Sequence, residues 1–198
     1  MAGIRRTIVL LLGVVALSVA VIAEAGAGPV GDQLRSRIDH VVGILEDPIM
    51  KIRPEERRGA LRDAAGDIFD FAEITRRALG RHWQTARPAE REELVVLLTA
   101  RLQQAYLERL EQYDGQRVSV VGELVNGDLA TVRTRLVSKD GVETPVDYRL
   151  HRRGERWLAY DLTVEGVSLV ASYRAQCNTI VRASSTQALV ARLRDRQR

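Results

Sequence analysis

The sequence predicts an α+β domain in which helices cover one face of a curved four-stranded antiparallel sheet. Three observations carry this. Apolar residues recur at helical spacing through residues 30–113, alternate at period two over 117–165, and return to helical spacing over 168–196. Because the strands follow one another without intervening helices, they pair as a meander rather than through βαβ crossovers.

The first helix rests on Leu34, Ile38, Val41 and Leu45, and Glu46-Asp47-Pro48 ends it. Pro54-Glu55-Glu56 opens a second helix through Leu61 toward Ile68 and Phe69, since proline at the first helical position gives up only an N–H that would be unpaired. Phe71 to Leu79 continues as a short helix closed by Gly80. Pro88-Ala89-Glu90 starts the strongest helix, with acid in the first turn where the macrodipole favours it. Its stripe of Leu94, Leu97, Leu98, Leu102, Ala105 and Tyr106 is wider than a coiled-coil seam, and Asp114-Gly115 ends it.

Val118 to Leu124 then reads as a strand, followed by the hairpin signal Asn126-Gly127. In the next strand Val132, Thr134 and Leu136 share one face, while Thr131, Arg133 and Arg135 point the other way. Lys139-Asp140-Gly141 turns the chain into a third strand, where Val146, Tyr148 and Leu150 alternate with Asp147 and Arg149. Arg153-Gly154-Glu155 turns it again into Trp157 to Val164. The chain breaks at Gly166 and restarts at Ser168, placed as the N-cap of a helix that runs to about Val181 with Leu169, Tyr173 and Cys177 on one face. A last helix has Ser184 and Gln187 spaced as a capping box and a stripe of Leu189, Val190 and Leu193.

The N-terminus carries an address rather than fold. Arg5-Arg6, the apolar run Thr7 to Ala23, and small residues in A-x-A spacing at Ala23-Glu24-Ala25 or Ala25-Gly26-Ala27 form a secretory signal. Residues 1–25 are expected to be removed, with 27 as the other cleavage point, leaving 26–198 as one domain. An uncleaved anchor would need ~20 apolar residues and no processing site. Loss of Arg5, Arg6 and Glu24 lowers the formal charge from +4 to +3, too mild for a nucleic-acid protein, which concentrates charge in a patch or stripe. All basic residues except Lys51 and Lys139 are arginine, and Cys177 is the single cysteine, so no intramolecular disulfide forms. On an apolar helix face it reads as a small core residue.

Catalytic hardware is scarce. His40, His82 and His151 have no partner at metal-ligand spacing, so neither a metal nor a cofactor is expected. Gly166-Val167-Ser168-Leu169-Val170 lacks the closing glycine of a nucleophile elbow, and Ser168 is better explained as a cap. Asp67, Asp70 and Glu73, at i, i+3 spacing, read as a solvated face. Asp161 has two readings: a buried base, or a structural acceptor that pairs with an arginine or caps a helix, and the lack of a helping histidine or second acid favours the second.

Phe71 to Trp83, FAEITRRALGRHW, carries an aromatic, a Leu-Gly and a Trp, followed by a helix with Tyr106-Leu107. VDYRL and then RWLAYDLTVEGVSLVASYR contain W-x-x-Y-D, E-G-V-S and Y-R. Together these motifs resemble the signature of the MlaC or toluene-tolerance family. The resemblance spans about residues 30–195, and its motifs are specific in combination, the matching positions being Trp83, Tyr106, Tyr148, Trp157, Tyr160, Asp161, Gly166 to Ser168, Tyr173 and Arg174. It implies an NTF2-like fold with added helices, and a soluble periplasmic phospholipid carrier rather than an enzyme. The implied partners are a phospholipid, an inner-membrane ABC transporter with a lipid-binding ring, and an outer-membrane lipoprotein–porin complex, with the carrier a monomer.

The acyl chains are then expected to touch Leu98, Leu102, Tyr106, Val132, Leu136, Val146, Tyr148, Leu150, Leu162, Val164, Leu169 and Tyr173. Arg133, Arg149 or Arg174 would meet the phosphate, by the preference of guanidinium for phosphate. The chain departs from the family pattern at Cys177, where an aromatic is expected, and at Ala183-Ser184-Ser185, where a glycine is expected. A hopanoid carrier of the same family stays open as an alternative. So do an enzyme using Asp161, and a lipid-free adaptor docking through Arg192, Arg194, Arg196 and Arg198.

Overall fold

A computed structural model of the chain describes residues 28–195; the expected signal and both cleavage points lie outside them, as do Arg196 and Arg198. Six helices come first: α1 Pro29–Glu46, α2 Pro48–Lys51, α3 Pro54–Ile68, α4 Phe71–Leu79, α5 Arg81–Thr85 and α6 Pro88–Leu110. The strands are β1 Arg117–Asn126, β2 Leu129–Val137, β3 Glu143–Arg153, β4 Arg156–Val164 and β5 Val167–Ser168, followed by α7 Leu169–Ala183 and α8 Thr186–Asp195. The sheet is an antiparallel meander in the order β1-β2-β3-β4-β5, so a two-residue strand joins the four expected.

Local chemistry sets most boundaries. Proline opens α1, α2, α3 and α6. Asp47 accepts the Ile49 N–H at 2.7 Å, so Glu46-Asp47-Pro48 ends one helix and starts a short second one. Asp70 caps α4 through the Glu73 N–H at 2.9 Å, and Gly80 closes it at φ +54°. The first hairpin loop is Gly127-Asp128 rather than Asn126-Gly127: Asn126 pairs with Leu129, and only the glycine takes positive φ, as a II′ turn requires. The α8 cap also lies one residue later than expected. Ser185 accepts the Ala188 N–H at 3.1 Å, while Ser184 donates its own N–H to Ile180 at the end of α7. Gln187 closes no capping box; its amide donates to Glu90 of α6 at 2.6 Å.

The main core lies between α1, α3 and the apolar sheet face. Leu34, Ile38, Val41 and Leu45 of α1 and Leu61, Ala64 and Ile68 of α3 bury against Ala130, Val132, Leu150 and Ala159. Each fully buried Leu, Ile or Val contributes about 1.5–3 kcal/mol, which makes this the principal stabilising contact. Glu123, on the same face, accepts the Gly31 N–H at 2.6 Å and seats the start of α1 on β1.

One irregularity of register positions the rest. Leu150 pairs with Ala159 but Arg149 pairs with Asp161, so Tyr160 is an extra residue in β4. Trp157 and Ala159 pack into the core before this bulge, and Leu162 and Val164 return to the same face after it. Beyond β4, Phe69 bridges to Ala159 and the Asp70 N–H bonds to the Ala159 carbonyl at 2.9 Å, stitching the α3–α4 corner to the sheet edge. Helices α4, α6, α7 and α8 gather there in two smaller clusters, centred on Leu98 with Leu102 and on Leu94 with Leu189.

Candidate functional site

The apolar sheet face is covered along only part of its length. Val132, Leu150 and Ala159 are closed over by α1 and α3. Further along the strands, Leu136, Val146 and Leu162 stay half-buried and Val164 is 38% exposed. The register puts Val132, Tyr148 and Leu162 side by side, then Thr134, Val146 and Val164. Thr134 does not interrupt this apolar strip, because its hydroxyl donates to the Val146 carbonyl at 2.7 Å.

Tyr148 of β3, packed against the main core beside this strip, lies near enough to Tyr106 of α6 to influence its phenol. The Tyr106 ring stands edge-on to Phe69 at 6.3 Å between centroids. Burial pushes both phenols up, Tyr148 to about 12 and Tyr106 well above its ordinary value, with the neighbouring Tyr148 adding to the second shift. Along α6, Leu98, Leu102 and Tyr106 follow at four-residue steps, so one stripe runs from this recess back to the middle of the helix. Leu98, Leu102, Leu169 and Tyr173 pack in one cluster with Ile74, Ala78 and Val170, and Leu98 and Tyr173 also border a groove between α6, α7 and α8.

The twelve apolar candidates therefore fall into four settings. Val132 and Leu150 sit in the main core, Leu102 and Leu169 inside the α4–α6–α7 cluster, and Leu98 and Tyr173 where that cluster borders the groove. Leu136, Val146, Leu162, Val164, Tyr106 and Tyr148 surround the open part of the sheet face. The three arginines lie elsewhere. Arg133 and Arg149 occupy the opposite sheet face by register, with Arg149 Nη1 3.6 Å from Asp161 Oδ2. Arg174 is exposed on α7 and donates from Nε to the Arg77 carbonyl at 2.8 Å.

Asp161 is 4% exposed and serves as an acceptor for the start of α7. Its Oδ1 receives the Leu162 N–H at 2.9 Å and the Val170 N–H at 3.0 Å, and its Oδ2 receives the Ser168 hydroxyl at 2.7 Å. A general base would need a lone pair open to a cavity; here both oxygens are engaged in capping. Ser168 itself caps α7 through the Ala171 N–H at 3.0 Å.

Sequence spacing misread the acids around the α3–α4 junction. Only Asp67 is solvated, paired with Arg156 at 2.8 Å. Glu73 is buried, and the Arg76 guanidinium, then that of Arg77, holds its carboxyl down to about 2 against the opposing effect of burial. Asp70 Oδ2 lies 3.0 Å from His151 Nε2 and 3.2 Å from Arg153 Nε. Arg77 also stacks over Tyr160 at 3.8 Å, so this ring is held by α4. The alternation Glu73, Arg76, Arg77 was the available signal for the pair on α4; nothing local announced His151. Among the described residues no group of three His, Cys, Asp or Glu could hold a metal ion, and no helix is long and apolar enough to cross a membrane.

The model of the MlaC protein family matches residues 35–195. The chain belongs to the MlaC family. A phospholipid-binding protein from Ralstonia solanacearum, solved in complex with a phospholipid, has a similar fold: TM-score 0.70 at 23% identity, covering 87% of this chain and 97% of that one. In this MlaC-family chain the signature residues do structural work: Trp157 packs in the main core, Tyr160 forms the bulge, and Asp161 and Ser168 build the strand-to-helix corner.

Proposed function

We propose that the protein is a periplasmic lipid carrier that holds the acyl chains of a phospholipid against the open part of the sheet face. In this reading it moves lipid between an outer-membrane lipoprotein–porin complex and an inner-membrane ABC transporter, after export and removal of its signal. The observation that carries it is the strip of Leu136, Val146, Leu162 and Val164 left partly uncovered beside the part of the face that α1 and α3 close. Membership of the MlaC family supports it, as does the phospholipid held by the Ralstonia protein of the same fold. Each buried methylene contributes ~0.8 kcal/mol, so a chain laid along this strip is retained without a catalytic group. The engagement of Asp161 in capping supports a carrier over an enzyme.

Native mass spectrometry of protein purified without detergent, with organic extraction of what it carries, tests the reading. A mass excess matching a two-chain phospholipid is expected, and Leu136→Trp and Val146→Trp should each displace it. Undiminished loading in both variants would remove the sheet face as the site. A hopanoid mass would replace the phospholipid, and a lipid-free protein that refuses added lipid would end the carrier reading.

A further inference from the structure

A second apolar recess lies at the other end of the α6 stripe. The groove between α6, α7 and α8 encloses about 520 Å³, within the roughly 300–1,000 Å³ of small-molecule sites. Leu98, Cys177 and Leu189 line it, each at most 4% exposed, and Leu193 stands half-buried beside them. It is separate from the sheet recess, because one turn of α6 later Leu102 is closed against Ile74, Ala78 and Val170.

Its charge is one-sided. Arg101 of α6 and Arg192 of α8 both line the groove, and no carboxylate does. Among the described residues neither arginine makes an ion pair, whereas Arg194 on the same helix is paired with Glu93. Arg101 lies near the Tyr173 phenol, opposing the upward push that burial exerts on it. Two guanidinium groups without counter-charge, on either side of an apolar trough, suit a ligand with an alkyl chain and an anionic head, and disfavour a cationic one.

We propose that this groove is a second ligand site, which takes the alkyl chain of an anionic amphiphile with its phosphate or carboxylate between Arg101 and Arg192. The proposal does not rest on the carrier reading: the groove and the sheet face are different walls of the molecule and fail independently.

Cys177 gives a local readout, being the only cysteine and part of the groove. The rate at which iodoacetamide modifies it is measured on the purified protein with dodecyl phosphate, laurate or dodecyltrimethylammonium, each below its micelle concentration. Because burial pushes the Cys177 thiol up to about 11 and slows its reaction, methyl shifts of Leu189 and Leu193 are read in parallel and decide the outcome if the thiol does not react. The anions should slow modification about tenfold or shift those methyls, and the cation should do neither. Stronger protection by dodecyl phosphate assigns the head group as phosphate, and by laurate as carboxylate. Arg101→Gln combined with Arg192→Gln should abolish the preference for anions, while Leu136→Trp should leave protection intact. Equal protection by the cation, undiminished protection in the double variant, loss of protection in Leu136→Trp, or no effect of any amphiphile would each overturn the proposal.

Discussion

Asp161 and Val170, nine residues apart, are joined by a hydrogen bond of 3.0 Å from the Val170 N–H to Asp161 Oδ1, across the β4–α7 corner. With the Ser168 hydroxyl on Oδ2, this makes one buried carboxylate the anchor for both the turn and the first turn of α7. Asp161→Ala should therefore lower stability by about 2–4 kcal/mol, because the buried Val170 N–H and Ser168 hydroxyl lose their acceptor. Asp161→Asn keeps one acceptor oxygen and should cost less. Urea denaturation of both variants checks the order; equal stability to wild type in Asp161→Ala would refute the anchoring role.

The two halves of the sheet face should respond differently to truncation. Leu150 is fully enclosed by α1 and α3, so Leu150→Ala leaves a cavity and should cost about 2–5 kcal/mol. Leu136, half-buried at the uncovered end, should cost less than about 1.5 kcal/mol in the same change. Thermal unfolding of lipid-free protein separates them, and similar losses would mean that the strip at Leu136 is closed in solution.

Tyr148 makes stability sensitive to alkali. Its phenol is raised to about 12 by burial, above the ordinary 10 it regains on unfolding, so its contribution is complete below pH 10 and declines as the pH rises toward 12. Over that window the loss attributable to Tyr148 is about 2 kcal/mol. Tyr148→Phe removes the ionisable group and should flatten that part of the curve, and phenolate absorbance should show one fewer late-titrating tyrosine. A Tyr148→Phe curve parallel to wild type from pH 10 to 12 would contradict this.

Glu73 behaves in the opposite sense. Held at about 2 by Arg76 and Arg77, it ionises more readily folded than unfolded, so its contribution is complete above about 4.5 and is lost as the pH falls through about 2. Since Arg76 is half exposed, solvent screening reduces the effect, and Glu73→Gln should cost about 1–2 kcal/mol at neutral pH. The gap between variant and wild type should close in acid; a gap constant from pH 7 to 2 would point to packing instead of charge.

Spacing along the chain was enough to place the helices and strands of α1, α3, α4, α6 and β1 to β4, because the face an element buries repeats every 3.6 or 2 residues. The same local chemistry made Ser168 legible as a cap and Cys177 as a buried thiol, and the lack of a helping histidine or second acid favoured Asp161 as a structural acceptor over a base. Prolines and acids marked the helix starts to within a residue, with the last cap at Ser185 instead of Ser184. Some ends fell elsewhere: α6 stops at Leu110, before the Asp114-Gly115 read as its end, and β1 runs on from Leu124 to Asn126.

What lay beyond that reach depended on groups far apart in the chain. The bulge at Tyr160 keeps Leu162 and Val164 on the core face, and it exists because Arg149 and Leu150 pair with residues two apart. Phe69 came to tie the α3–α4 corner to the sheet through its bridge to Ala159, and His151 found Asp70, 81 residues away. The split of one α6 stripe into a sheet recess, a closed cluster and a groove followed from where α7 and α8 came to rest against it. An apolar pattern states which side chains avoid water, and only packing against other elements settles which of them find a neighbour and which are left for a ligand.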